Sequence, residues 1–185
     1  MFSVLLSVYY KENPIYLQAA LDSIWTQQTV APNEIVLVKD GPLTVDLDRV
    51  IDEFGKNAPV TIIPLKKNVG LGQALNKGLK YCSNDIVARM DTDDIAFPAR
   101  FEKQIKFLND NHDVDIVGSW LDEFEGDPNN LISRRKVPEE MNEIKEFLKK
   151  RNPLMFQTFS KGLLDMSREC QRYTGIFLVI RIHND

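Results

Sequence analysis

Cysteine and histidine are scarce in this chain of 185 residues, which contains two of each. Cys82 and Cys170 lie far apart without metal-ligand spacing, a pattern typical of reduced thiols in a cytosolic protein. His112 and His183 are isolated and show neither ligand nor triad spacing, so we interpret both as structural. The sequence therefore offers no disulfide framework and no cysteine- or histidine-based metal site.

Long apolar runs are also missing, since no stretch reaches 18 apolar residues, so we expect no membrane-spanning helix. The apolar start, residues 2–8, is too short for a signal peptide and lacks a basic leader. We therefore expect a cytoplasmic protein. A basic cluster near the end of a predicted helix fits a solvated helix face and leaves peripheral contact with the inner face of the membrane open. Its members are Lys145, Lys149, Lys150 and Arg151.

An excess of positive charge is absent as well, because the formal net charge is −4. No basic field favours a nucleic acid, so we expect no nucleic-acid partner. An anionic ligand would have to be bound by local groups or by a metal ion. A hydrophobic fraction of 43% is ordinary for a globular domain.

Apolar segments alternate with amphipathic ones through residue 120. The predicted strands are residues 2–8, 34–38, 60–64, 85–90 and 114–121. The predicted helices begin at Pro14, Val45, Leu71, Pro98 and Glu139, and residues 126–130 form a turn. This order predicts an α/β fold with a doubly wound, mostly parallel sheet flanked by helices. Ligands of such sheets bind at the carboxyl ends of the strands.

Three carboxylates follow the fourth predicted strand, in Asp91, Asp93 and Asp94. Neighbouring carboxylates repel one another, and a divalent cation relieves that cost. Mg²⁺ and Mn²⁺ prefer such oxygen ligands and are commonly held by one or two carboxylates plus substrate phosphates. The alternative is a solvated acidic turn before the helix that Pro98 opens.

Polar residues also follow the first two strands. Asp40 can accept a hydrogen bond from a base or a ribose, or it can be a turn aspartate before glycine. Tyr9 can stack on a base beside Ser7, or it can pack under the sheet edge. Glu12 can help to cap the first helix. The glycines after Asn68 lack the spacing of a dinucleotide-binding fingerprint, so we do not expect dinucleotide binding.

Taken in order, these motifs resemble the large inverting glycosyltransferase family with the GT-A fold, called family 2. The segments that carry the resemblance are residues 3–12, 21–27, 34–41, 68–78 and 91–94, with Pro98, Arg100 and Phe101 after them. The last of these segments resembles the family's DxD element. The resemblance covers residues 1–154, which we expect to form the nucleotide-sugar-binding domain.

The resemblance implies a UDP- or dTDP-sugar donor, Mn²⁺ or Mg²⁺ as cofactor, and transfer with inversion to a glycan or lipid-linked acceptor in bacterial surface-polysaccharide assembly. The implied nucleotide-binding residues are Ser7, Tyr9, Glu12, Asp40, Asn68, Asp91 and Thr92. Asp93 and Asp94 are the implied metal ligands, with Asp93 contacting the ion that bridges the diphosphate.

The sequence departs from the family pattern in three places. Lys39 replaces an acidic residue and Pro42 a serine, and neither change removes an implied ligand. Residues 155–185 lack the glutamate–aspartate pair that would supply the catalytic base, so no base is assigned and this segment is an incomplete or divergent acceptor side. Asp165 or Glu169 could replace it, but their spacing supports neither.

Two other classes of function stay open at this point. The chain could be a nucleotide-sugar-binding module without turnover, because its donor half is intact and its catalytic half is incomplete. It could also be an unrelated Mg²⁺-dependent phosphohydrolase or receiver domain. Those proteins need an acidic residue at the end of the first strand, where this chain has Ser7.

Overall fold

A computed structural model describes residues 1–112, 114–139, 141–149, 159–161 and 178–180. The strands in these residues are β1 (Ser3–Val8), β2 (Glu34–Lys39), β3 (Val60–Pro64), β4 (Ile86–Arg89), β5 (Ile116–Gly118), β6 (Leu121–Phe124), β7 (Leu131–Arg135), β8 (Phe159–Lys161) and β9 (Leu178–Ile180). The helices are α1 (Pro14–Ile24), α2 (Val45–Gly55), α3 (Leu71–Leu79), α4 (Arg100–Asp110) and α5 (Met141–Leu148).

The central sheet has the strand order β3-β2-β1-β4-β8-β5-β9. The first four strands of that order pair in parallel. β8 is antiparallel to both β4 and β5, and β9 is antiparallel to β5. The predicted α/β fold with a mostly parallel sheet is confirmed.

Helices cover both faces of the parallel part of the sheet. Consecutive strand residues point to opposite faces, so neighbouring residues of β1 pack against different helices. Val4 and Leu6 of β1 are fully buried with residues of α1, α2 and α4. Leu5 lies in a second buried cluster with Leu75 and Leu79 of α3. A strand buried on both faces reads as a continuous apolar run, as predicted for residues 2–8.

Local sequence determines where the first two helices begin. The side chain of Asn13 accepts a hydrogen bond from the Ile15 N–H at 2.8 Å, and Pro14 occupies the first helical position. Thr44 caps α2 in the same way, through the Leu47 N–H. Each cap accepts a hydrogen bond from an N–H of the first helical turn, so α1 and α2 start just beyond the carboxyl ends of β1 and β2.

Four sequence predictions were wrong in detail. α4 begins at Arg100 rather than at Pro98. Leu71, expected on the buried face of α3, is 44% exposed because it stands in the first turn of the helix. Residues 114–121, expected to form one strand, divide into β5 and β6, which belong to different sheets. α5 begins at Met141 rather than at Glu139 and ends at Leu148.

The second sheet is a hairpin of β6 and β7 that the sequence did not predict. Its strands are joined by the predicted turn at residues 126–130, where Gly126 has a φ of 70°. Two cross-strand ion pairs connect them. Arg134 donates to Asp122 at 2.7 Å, and Arg135 pairs with Glu123. Charged pairs therefore replace the apolar alternation by which a strand is usually recognised.

No helix in the described part of the chain is long and apolar enough to cross a membrane. Of the predicted basic cluster, Lys149 pairs with Glu146 at 2.6 Å. Lys150 and Arg151 lie outside the described residues, as do the candidate bases Asp165 and Glu169.

Candidate functional site

The carboxyl ends of β2, β1 and β4 lie side by side at one edge of the sheet. The Asp40 N–H donates to the Val8 carbonyl at 2.8 Å, and the Met90 N–H donates to the Leu5 carbonyl at 3.0 Å. β1 separates the other two strands, so the ends of β2 and β4 are roughly 10 Å apart. The sequence segments after Val8, Lys39 and Arg89 thus meet at one edge, as predicted.

The three carboxylates of the acidic motif after β4 differ in their exposure. Arg89 Nη2 donates to Asp91 Oδ1 at 2.9 Å, and the Asp91 side chain is 22% exposed. Thr92 is buried, whereas Asp93 is exposed and Asp94 is partly buried. Asp93 is therefore the carboxylate of this motif that a ligand from solvent reaches first.

Glu12 joins this motif from the loop between β1 and α1. Burial raises the pKa of Glu12, and the charges of Asp93 and Asp91 raise it further, while a hydrogen bond from Thr92 opposes them. Asn13 supplies the cap of α1, so the alternative role of Glu12 as the helix cap is not supported by the contacts. Glu12 lies instead among the acidic residues that the sequence grouped as a site.

The same repulsion affects Asp91. Burial is the largest influence and raises the pKa of Asp91, Arg89 counteracts it, and Asp93 adds to it. Folding therefore holds several carboxylates close together at a cost in free energy that an added cation would reduce.

Two buried arginines, Arg89 and Arg100, stabilise the acidic motif. Arg100 Nη2 donates to the Arg89 carbonyl at 2.9 Å, and Arg100 Nε donates to Gln104 at 3.1 Å. Burial lowers the pKa of Arg100 to about 9, and the carboxylates of Asp94 and Asp91 oppose that shift, so the guanidinium stays charged at neutral pH.

The sequence analysis missed Arg89 as a site residue. The feature that could have identified it is a single cation within an apolar strand, two residues before Asp91.

At the end of β2, Asp40 is buried and its carboxylate is already engaged. Oδ1 accepts from the Val69 N–H at 2.7 Å, and Oδ2 accepts from the Gly70 N–H at 3.0 Å. Asn68 is exposed and donates to the Asp40 carbonyl at 3.3 Å. Asp40 and Asn68 therefore belong to one structural unit, which the sequence presented as two separate motifs.

The remaining predicted residues lie on β1 and just after it. Ser7 is 9% exposed and pairs in register with Val38 of β2. Tyr9 is 36% exposed and packs edge-to-face on Tyr10, with ring centroids 5.8 Å apart. Tyr9 is thus open enough for a base to stack on it. Lys39, which replaces a family acid, pairs with Asp48 at 2.5 Å.

The residues present fit a hard divalent cation held partly by its substrate. Among the described residues, no three acidic, histidine or cysteine side chains converge as a complete metal site. Mg²⁺ and Mn²⁺ usually take one or two carboxylates and complete their shell with phosphates and water. Asp93 and Asp94 supply oxygen ligands of that kind, so a metal here would depend on a bound phosphate.

The family profile of glycosyl transferase family 2 matches residues 3–169. The chain belongs to this family. It is 44% identical over 153 residues to the amylovoran biosynthesis glycosyltransferase AmsE of Erwinia amylovora, covering 83% of this chain and 56% of AmsE. It is 43% identical over 152 residues to the UDP-Gal:α-D-GlcNAc-diphosphoundecaprenol β-1,3-galactosyltransferase of Escherichia coli, covering 82% of this chain and 54% of that enzyme. The chain thus spans about half the length of these relatives.

Solved structures share the fold of this family 2 chain. S. aureus TarS 1–349 superposes with a TM-score of 0.61 at 20% identity, covering 86% of this chain and 46% of TarS 1–349. The mannosyltransferase PcManGT of Pyrobaculum calidifontis, in complex with GDP-Man and Mn²⁺, gives a TM-score of 0.53 at 25% identity and covers 62% of this chain and 34% of PcManGT. The likeness to TarS supports the GT-A architecture alone.

Proposed function

We propose that this chain binds the donor of a glycosyltransferase that moves a sugar from a UDP- or dTDP-sugar to a glycan or lipid-linked acceptor. The observation that carries the proposal is that the segments after β1, β2 and β4 lie at one carboxyl edge of a GT-A sheet, where the charges of Asp91 and Asp93 reach Glu12. An acidic edge suits a diphosphate only when a cation neutralises both, so we propose dependence on Mn²⁺ or Mg²⁺.

The proposal divides the edge into two parts. The nucleoside lies along Ser7, Tyr9, Asp40 and Asn68, near the ends of β1 and β2. The diphosphate and sugar lie near Glu12, Asp91 and Thr92, at the end of β4. Roughly 10 Å separates the ends of β2 and β4, a span suited to an extended ligand.

Asp93 and Asp94 would hold the metal ion, with Asp93, the exposed residue, contacting it directly. When bound, the ion would neutralise the charge that develops on the departing diphosphate. Arg89 holds the Asp91 carboxylate at 2.9 Å, which fixes its orientation before the donor arrives.

The proposed reaction is one displacement at the anomeric carbon. The acceptor hydroxyl oxygen forms the new bond, the bond to the diphosphate breaks on the opposite face, and the configuration inverts. A general base takes the hydroxyl proton. That base is unassigned, and residues 155–158 and 162–177 lie outside the described residues.

The acceptor and the location are proposed by analogy with relatives and from the sequence. The E. coli relative is named for a diphosphoundecaprenol-linked acceptor, and the E. amylovora relative for amylovoran biosynthesis. We extend a lipid-linked or glycan acceptor to this chain, with a cytoplasmic location and peripheral contact at the inner face of the membrane.

A thermal-shift screen of nucleotides with and without Mn²⁺ tests the proposal. A ligand that binds only the folded state raises Tm in proportion to the logarithm of its concentration above Kd. UDP or dTDP should raise Tm with Mn²⁺ and have little effect in excess chelator, and ADP should have little effect in either condition. Equal shifts with ADP would contradict the proposal.

An assay of UDP release on the same protein distinguishes an enzyme from a binding module. Incubation with UDP-sugars, Mn²⁺ and lipid-linked acceptor should release UDP if the chain is catalytically complete. Binding without UDP release would support the alternative of a nucleotide-sugar-binding module that lacks the base.

A further inference from the structure

The Asp40 carboxylate lies against main chain rather than open solvent. Asp40 is 2% exposed. Its two oxygens accept from the Val69 and Gly70 N–H groups at 2.7 and 3.0 Å. Hydrogen bonds to an ionised acceptor are stronger than neutral ones, so this carboxylate fixes residues 69 and 70 firmly.

The backbone next to Asp40 is shaped for the same contact. Gly41 has a φ of +90°, and a Cβ built on it would lie 2.7 Å from the Asn68 nitrogen. A side chain at residue 41 would therefore push residues 67 and 68 away. The Asn68 side chain adds a hydrogen bond to the Asp40 carbonyl at 3.3 Å.

This contact also stabilises the start of α3. Gly70 is the N-cap residue of α3 and forms no side-chain cap hydrogen bond. The Asp40 carboxylate supplies an acceptor for its N–H and places a negative charge at the helix N-terminus. Asp40 thus connects the end of β2 to the beginning of α3.

We propose that Asp40 is a positioning residue whose carboxylate holds residues 69 and 70, a contact called the latch below, and that donor affinity depends on the latch because it presents the neighbouring Asn68 to the nucleoside. The part of the inference that concerns donor affinity rests on the proposed function. The latch itself is a property of the ligand-free protein. Direct contact of Asp40 with the base is the competing role.

Amide hydrogen exchange in the ligand-free chain tests the latch. Asp40→Ala removes both acceptors, so the Val69 and Gly70 amides should exchange at least about tenfold faster. Asp40→Asn keeps one oxygen acceptor and should give intermediate protection. Unchanged exchange of both amides in Asp40→Ala would overturn the latch, whatever the chain binds.

Gly41→Ala separates positioning from direct contact, because it retains the Asp40 carboxylate and displaces Asn68. Its matched control is Gly126→Ala, which introduces alanine at a positive φ of 70° with no atom within 4 Å of the new Cβ, in the distant hairpin. UDP affinity with Mn²⁺, measured by calorimetry, should fall about tenfold in Gly41→Ala and in Asp40→Ala, the equivalent of about one lost hydrogen bond. Gly126→Ala should bind as the parent does.

Each result has a distinct meaning. Parent-like UDP affinity in Gly41→Ala together with a loss in Asp40→Ala would overturn the positioning role in favour of direct contact. Failure of the parent chain to bind any nucleotide would overturn the proposed function and the part of this inference that concerns donor affinity. Amide exchange would then still test whether the Asp40 carboxylate holds residues 69 and 70.

Discussion

The guanidinium of Arg89 lies 2.9 Å from the carboxylate of Asp91, and their side chains are 5% and 22% exposed. The protein thus partly neutralises the first carboxylate of its acidic motif with an internal cation. Asp93, two residues later, stays exposed. This difference supports separate roles for the two aspartates, one held in position and one open to a ligand.

Removing Arg89 should destabilise the fold. Arg89→Met leaves Asp91 poorly compensated next to Asp93, and breaking a largely buried ion pair costs about 3 kcal/mol of unfolding free energy. Urea denaturation measures the change. Arg49→Met is the control, because Arg49 pairs with Asp46 on the exposed face of α2 and its loss should cost little stability. Equal losses in both variants would contradict a special role for the Arg89–Asp91 pair.

Asp93 should carry the metal dependence of nucleotide binding. Because Asp93 is exposed, Asp93→Ala removes a ligand and little packing. UDP binding by calorimetry should require Mn²⁺ or Mg²⁺ in the parent chain, and the variant should lose that dependence. Asp52→Ala, an exposed aspartate of α2, controls for the loss of one surface charge. Tight UDP binding by the parent in excess chelator would refute a metal bridge.

The sequence predicted the parallel half of the fold well because its signals are local. The run at residues 2–8 is apolar on both faces of β1, and Asn13 with Pro14 marks the start of α1. These features depend on neighbouring residues, so one sequence is enough to recognise them. The edge that gathers Ser7, Asp40 and Asp91 then follows from the geometry of parallel sheets.

The remainder depends on contacts between distant residues. β8 inserts between β4 and β5, and nothing local to residues 159–161 indicates that position. β7 is stabilised by ion pairs with β6 rather than by apolar alternation. Arg89 looks like any strand cation until its burial and its distance to Asp91 are known. Likewise, the hydrogen bonds of Asp40 to residues 69 and 70 span 29 and 30 positions of the chain, so the sequence does not reveal them.

Gly78 should be required for α3 to pack closely on the sheet. A Cβ built there would lie 2.5 Å from Val38 Cγ2 and 2.6 Å from Leu5 Cδ1. Gly78→Ala should cost about 1–3 kcal/mol from overpacking against a gain of about 1 kcal/mol in helix propensity, a net loss of up to about 2 kcal/mol. Gly72→Ala in the same helix meets no atom within 4 Å and should be neutral or stabilising in urea denaturation. Destabilisation by Gly72→Ala alone would contradict this packing.

Glu12 should make the stability of the chain depend on pH in a direction set by its surroundings. Burial and the charges of Asp93 and Asp91 raise its pKa above the ordinary value of 4.5. The folded state then keeps this proton to a higher pH than the unfolded state, so stability falls as pH rises from 4.5 through the raised folded pKa.

The variant Glu12→Gln tests this dependence, because glutamine does not titrate and can still accept the hydrogen bond from Thr92. Glu12→Gln should therefore have a higher Tm than the parent at pH 7 without metal, and the advantage should disappear below pH 4.5. Glu53→Gln, an exposed change in α2, controls for the loss of one surface carboxylate. A Glu12→Gln variant that is less stable than the parent at pH 7 would show that the contacts of Glu12 outweigh the repulsion around it.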